Sequence, residues 1–177
     1  MGFCASISSD MAENKASTDM QKITAKWSEE HKNIFAKLND SAKKYFESHA
    51  SKEIDMSGTM RVAYYVAEKD YMFNEFRKSI YELEKSGKTS YIKSDFINAD
   101  NGLNTEYRDS IKRQYNEISR VTKDGIKATQ LLWIKYRDAW VRFASLHYPA
   151  IDTDIIKTKL TYERTAILRN IPTPNSE

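Results

Sequence analysis

Three histidines, His31, His49 and His147, are the first residues to weigh as chemistry-bearing groups in this 177-residue chain. A metal site needs imidazoles, thiolates or carboxylates at short spacings that aim several donors at one point. These histidines lie far apart, without carboxylates at metal-ligand spacing, and no Glu-x-x-His, His-Glu-x-x-His or Cys-x-x-Cys run occurs. His31 and His49 fall on or beside an apolar helical stripe, where a hydrogen-bonded structural histidine is expected. No glycine-rich phosphate loop is present, and the single cysteine, Cys4, excludes an internal disulfide. Carboxylates are plentiful, but no pair stands out as a general acid and base. The expectation is therefore a protein that is not an enzyme, with no metal and no cofactor.

The other candidate is the stretch LLWIKYRDAW, residues 131–140. At 100° per residue Leu132, Trp133, Tyr136 and Trp140 form one apolar stripe. Aromatics at that spacing read as core, since each buried ring stabilises by about 1.5–3 kcal/mol. Lys135, Arg137 and Asp138 fall mostly off the stripe. Asp138 is placed to pair with Arg142 one turn on, and Arg137 to reach a carboxylate on the last helix, Glu163 being the candidate.

The elements that must carry these residues are helical. Five glycines and three prolines are too few for the turns of a β-rich chain. Ile23, Trp27, Ile34, Leu38, Ala42, Tyr45 and His49 recur at helical spacing over about 18–50. SKEIDMSGTM follows as a turn, with Asp55, Ser57 and Thr59 as cap residues and Gly58 for a sharp bend. A second helix spans about 59–86 with Val62, Val66, Phe73, Phe76, Ile80 and Leu83 inward, closed by Gly87. Residues 87–100 connect, with a short turn around 94–97, and Asp100 or Asn101 caps a third helix. Its stripe, from Leu103 through Tyr107, Ile111, Tyr115, Ile118 and Gly125 to Trp133, Trp140 and His147, stays in phase. One long helix is therefore expected, a bend at Gly125 being the alternative. Pro149 ends it, and Asp152 or Thr153 caps a fourth helix running to about Asn170.

A shift of 95 residues lays Tyr45 on Trp140, Glu68 on Glu163 and Phe76 on Ile171. The expected fold is thus all-α: a four-helix bundle of two helix-loop-helix repeats, with one long third helix. Residues 18–171 form a single domain with halves at about 18–86 and 99–171. Residues 1–17 read as a disordered leader or signal remnant, and 172–177 as a tail. MGFCASISSD carries Ser6 and Ser8 at small-x-small positions, which points to export, with a cytoplasmic N-terminus as the alternative. A net charge of +3, evenly mixed with acids, gives no phosphate-tracking stripe, so nucleic acid is not an expected partner. No apolar run is long enough to span a membrane.

The run ADNGLNTEY (99–107) followed by LLWIKYRDAW resembles the LprI-type lysozyme-inhibitor family. Asp100, Leu103, Asn104, Tyr107, Trp133, Tyr136, Arg137, Asp138, Ala139 and Arg164 carry the likeness, which covers about 99–171. The family's cysteine after the Arg-Asp-Ala run is replaced by Val141, so its disulfide is not expected here. The resemblance implies an exported protein, periplasmic or secreted, that protects against peptidoglycan-cutting enzymes or acts as an immunity protein for one. The motif residues themselves are expected to be structural.

An inhibitor of such an enzyme would enter a cleft flanked by two carboxylates. The donors expected to do so are Ser51, Lys52, Ser57, Gly58, Thr59 and Arg61 in the first turn, with His147 and Tyr148 in the second. Under the duplication the two turns would share one end of the bundle. The alternative is a scaffold or self-associating envelope protein, using exposed aromatics among Tyr64, Tyr65, Tyr71, Tyr81 and Tyr91.

Overall fold

The computed structural model of the protein describes residue 18 and residues 20–86, 95–115 and 117–173. The readings made of residues 1–17, of Gly87 and Tyr91 and of residues 174–177 lie outside these. Helix accounts for 79% of the described residues, and no strand occurs among them.

Residues 20–24 are helical, but the chain breaks before Trp27 instead of running on. Ser28 is the cause: extended at φ −62°, ψ 159°, it accepts from the His31 N–H and caps a new helix, α1 (Glu29–Lys52). Glu29 and Glu30 in its first turn suit the positive end of the helix dipole. Gly58, at φ +74°, then makes the turn into α2 (Arg61–Ser86), as its residue type suggests.

α3 (Phe96–Ser110) starts after Asp95, so Asp100 and Asn101 lie inside a helix and cap nothing. The expected long third helix does not form. α3 stops at Ser110, a 3-10 turn follows at Glu117–Ser119, and α4 (Lys123–His147) begins afresh behind Thr122, whose side chain accepts from the Gly125 N–H. Tertiary hydrogen bonds hold the break open. Arg113 reaches the Leu168 carbonyl at 2.9 Å and pairs with Glu106, while the Tyr115 hydroxyl turns back to the Ser110 carbonyl at 2.7 Å. Arg120 takes the left-handed conformation at φ 63°. Asp152 caps α5 (Thr153–Arg169) through the Asp154 N–H, as expected. Among the described residues there are thus five full α-helices, one more than the four-helix expectation.

α1 and α4 form the spine and run antiparallel. Ser48 bonds Thr129 at 2.7 Å near one end, Tyr45 stacks on Tyr136 at 5.4 Å, and His31 meets His147 at 2.8 Å at the other. Gly125 lets them close: a Cβ there would stand 3.2 Å from the Cβ of Lys52. α2 lies on α1 through Phe46, Phe73 and Phe76, and α5 lies on α4. α3 runs parallel to α5, from Asp95 beside Thr158 to Arg113 beside Leu168. Burying Leu38, Ile80, Leu103, Ile126, Phe143 and Leu168, each 2% exposed or less, supplies the main driving force.

Candidate functional site

The least expected feature of the interior is a chain of charges. Glu53, the first residue beyond α1, and Arg164 of α5 face each other with side chains fully buried. Two guanidinium N–H groups donate to the two carboxylate oxygens at 2.7 Å each, and Nε donates to Gln130 Oε1 at 2.8 Å. Glu53 also meets His49 Nδ1 at 2.8 Å, and His49 Nε2 lies 3.1 Å from Glu68 of α2. Four helices are tied together: α1 through His49 and the residue capping it, α2 through Glu68, α4 through Gln130, α5 through Arg164.

Electrostatics sets the proton on His49. Burial alone would lower its pKa, but hydrogen bonds to Glu53 and Glu68, then their charges, outweigh that and raise it. Burial would likewise raise Glu53, yet Arg164 and then His49 hold its carboxyl below the ordinary range. Glu68 is lowered by its hydrogen bond to His49, against partial burial. With His49 protonated the charges cancel within the chain, which is how a closed interior tolerates them.

Over this chain opens a cleft of about 310 Å³ between α2 and α5. Its floor is aromatic: Phe46 and Tyr136 lie 5.4 Å apart, and Phe76 and Trp140 5.6 Å. Trp140 Nε1 is buried there without a hydrogen-bond partner. Burial also pushes the Tyr136 phenol well above its ordinary pKa. The rim carries Glu68, Glu75, Glu82 and Glu163 against one lysine, Lys159. Lys159 is held by Ser79 at 2.9 Å and by Glu163 at 3.7 Å. Glu163 has its pKa raised by crowding from surrounding atoms, partly offset by Lys159 and reinforced by Glu75.

Comparison with protein families, curated proteins and solved structures finds no match. The sequence-predicted residues must therefore be judged on where the fold puts them.

The two groups of expected partner-binding donors are not neighbours. Because α1 and α4 are antiparallel, the first turn lies at the start of α4, and His147 and Tyr148 lie at the start of α1. The two ends of the 24-residue α1 stand about 35 Å apart at a rise of 1.5 Å per residue. Ser51 spends its hydroxyl on the Glu47 carbonyl at 2.7 Å, and Lys52 is half-buried over Gly125. The Ser57 N–H closes an Asx turn on Asp55 at 2.7 Å, while Gly58, Thr59 and Arg61 are exposed. At the far end Glu84 accepts from His147 and from the Tyr148 hydroxyl, at 2.8 and 2.6 Å. His147 and His31 face each other through Nδ1 atoms, so one ring must donate and the other accept. Burial, then Glu84, pushes the Tyr148 phenol up.

The resemblance motif forms a clamp between α3 and α4. Trp133 and Tyr136 are core, as their spacing indicates, and so is Leu103, with Tyr107 packed against it. Arg137 does not pair with Glu163 of α5. It bonds Asp138 at 3.0 Å, lies 3.9 Å from Asp100, and covers the Trp133 ring at 5.2 Å. Asp138 thus pairs with its neighbour in sequence, not with Arg142. Asn104 donates to Asp100 at 2.9 Å, and Arg164 sits in the buried ion chain. Glu53, Glu68 and Gln130 were missed; the His49–Glu53 spacing of four, one turn apart at the end of α1, was the local signal for the first.

Proposed function

We propose that the protein is a non-enzymatic helical binding protein that docks another protein on the α1–α2 turn and the outer face of α2. The observation that carries this reading is an uncovered apolar stripe. Met60, Tyr64 and Tyr71 are 55%, 53% and 62% exposed, and exposed Ala67 joins them. Their spacing of four, three and four residues puts them on one face of a helix. The Met60 carbonyl accepts from the Tyr64 N–H at 3.1 Å, so the stripe begins within the turn itself. Residues 61–64 are exposed on every side, so this end of α2 projects from the bundle. Soluble proteins seldom leave such a surface without a partner.

The resemblance to lysozyme inhibitors supports a lysozyme-like peptidoglycan hydrolase as that partner, possessing an open cleft that a projecting helix end fits. Thr59 and Arg61 beside the stripe supply donors for its carboxylates. Such a role places the protein in the periplasm or outside the cell. Among the described residues no helix is long and apolar enough to cross a membrane. The chain's +3 charge gives no long-range attraction to a cationic lysozyme, which favours a neutral or acidic bacterial hydrolase as the target. The stripe's spacing also matches a helix-on-helix seam, which supports self-association as the second reading. We further read α1–α2 and α4–α5 as two copies of one hairpin. α1 and α4 start 94 residues apart (123 − 29) and end 95 apart (147 − 52).

The test uses Tyr64→Asp/Tyr71→Asp, assayed for inhibition of peptidoglycan turnover by a panel of lysozyme-like hydrolases and for mass by sedimentation. Inhibition by wild type, lost in the variant at unchanged Tm, supports the inhibitor. A wild-type oligomer dissociated by the variant supports the scaffold. A monomer that inhibits nothing overturns both.

A further inference from the structure

We propose that the end of the bundle opposite the buried ion chain is an acid-operated latch, in which a second proton on the His31–His147 pair releases α4 from α1 and α2. The two rings meet through Nδ1 atoms at 2.8 Å, joining the first turn of α1 to the last turn of α4. Glu84, near the end of α2, is tied in through His147 Nε2 at 2.8 Å, and the Tyr148 hydroxyl donates to the same carboxylate oxygen at 2.6 Å. Trp27, ahead of α1, lies 4.3 Å from the His147 ring, and Phe143 stacks on it at 5.3 Å. On α1 Glu29 pairs with Lys32 at 2.8 Å, and the neighbouring Lys26, Glu30 and Lys85 are exposed. The anion in contact with the pair is Glu84.

Proton counting sets the direction. A carboxylate only accepts, so His147 Nε2 carries a hydrogen. With both rings neutral, the Nδ1–H of His31 donates to the bare Nδ1 of His147. One added proton keeps the contact, because it leaves one ring doubly protonated and the other still accepting. His147 holds it, at the negative end of the α4 dipole and against Glu84, while His31 sits at the positive end of α1. A second proton has no place in the closed form. It would occupy the accepting Nδ1 of His31, set two N–H groups against each other across 2.8 Å and bring two positive rings together. Only the open form binds it, so the latch opens as pH falls and stays shut as pH rises. Opening uncovers Trp27, Phe35 and Phe143, whose rings pack together at 5.2, 5.5 and 5.6 Å.

Histidine ring signals and amide hydrogen exchange of the full chain are followed by NMR from about pH 8 to about pH 5, above the midpoint at which carboxylates ordinarily titrate. His31→Gln is the control: its amide can donate to a bare Nδ1 or accept from a protonated one, and it never takes a second charge. The expected result for the wild type is two separate steps of proton uptake, first on His147 and then on His31. The later step should bring an about tenfold loss of exchange protection, beyond the intrinsic pH effect, at residues 32–35 and 145–148. His31→Gln should keep that protection flat over the same range. Wild-type protection that does not change, or a loss of the same size in His31→Gln, overturns the latch. Should His31→Gln fail to fold, the wild type decides alone: loss of protection that coincides with the second histidine step supports the latch, and any other course overturns it.

Discussion

Replacing Glu53 by glutamine, with nearly the same shape and no charge, tests the buried ion chain directly. Arg164 now directs two N–H groups at Glu53, 2.7 Å each, from a position without solvent access. An amide offers one acceptor oxygen, so one guanidinium N–H would face an NH2 group and the arginine would keep its charge unmatched. His49 would lose the anionic partner at 2.8 Å. Breaking a buried pair from one side typically costs about 3–5 kcal/mol, most of it the penalty of the stranded charge. For a chain of this size that lowers Tm by roughly 6–20 °C. Guanidinium unfolding followed by far-UV circular dichroism measures it. The decisive comparison is a cycle of Glu53→Met, Arg164→Met and the pair. Each single change should be costly and the pair less costly than either, because it removes both charges together. A Glu53→Gln protein within about 0.5 kcal/mol of wild type, or strictly additive methionine variants, would refute the idea that these two charges depend on each other.

The pH profile follows from the same groups. His49 is raised above its ordinary 6.5, so its contribution is complete below that value and is lost as pH rises through the higher folded value. Glu53 and Glu68 are lowered below 4.5, so theirs is present above that value and lost as pH falls through the folded values. Stability should therefore peak between 4.5 and 6.5, and His49→Gln should flatten the alkaline limb of a Tm-versus-pH curve. Trp133→Ala, at a site 2% exposed, should destabilise by about 3–5 kcal/mol in the same unfolding assay. Gly58→Ala should cost about 1 kcal/mol, since a Cβ there meets nothing within 4 Å and only the positive φ is strained.

Periodicity located what is local. The stripe from Trp133 to Phe143, the turn at Gly58 and the cap at Asp152 are where the residue types place them. It failed between Ser110 and Lys123 because Ile111, Tyr115 and Ile118 keep α-helical phase even though the described residues there form no α-helix, only a 3-10 turn at Glu117–Ser119. What unwinds it is remote: the Leu168 carbonyl that Arg113 reaches is 55 residues away. The Ser28 break was written locally, as a serine before two glutamates, but the apolar phase masked it. Candidate binding residues fared worse, because the turns were assigned to one end by the supposed repeat. Only the antiparallel contact of α1 with α4, which no spacing encodes, separates them. Arg164 was picked out by likeness alone, and its partner Glu53 lies 111 residues away, out of reach of any pattern.

The pairing of α1 with α4 also governs how the chain can be made. Ser48 meets Thr129 across 81 residues, His31 meets His147 across 116, and Arg164 closes on Glu53 across 111. Closing a loop of that length costs about 2 kcal/mol more than closing one of ten residues, before any contact compensates. During synthesis from the N-terminus, α1 and α2 emerge with Tyr45, Phe46 and Phe76 uncovered and can offer these faces only to each other. The α4 surface that completes them is translated much later. Glu53 waits longer still, since its counter-charge resides in the final helix. A ribosome paused before α5 would thus hold a nascent chain with an exposed aromatic face and an unmatched carboxylate. Such a chain is a substrate for chaperones, and its folding is committed only when α5 has been made.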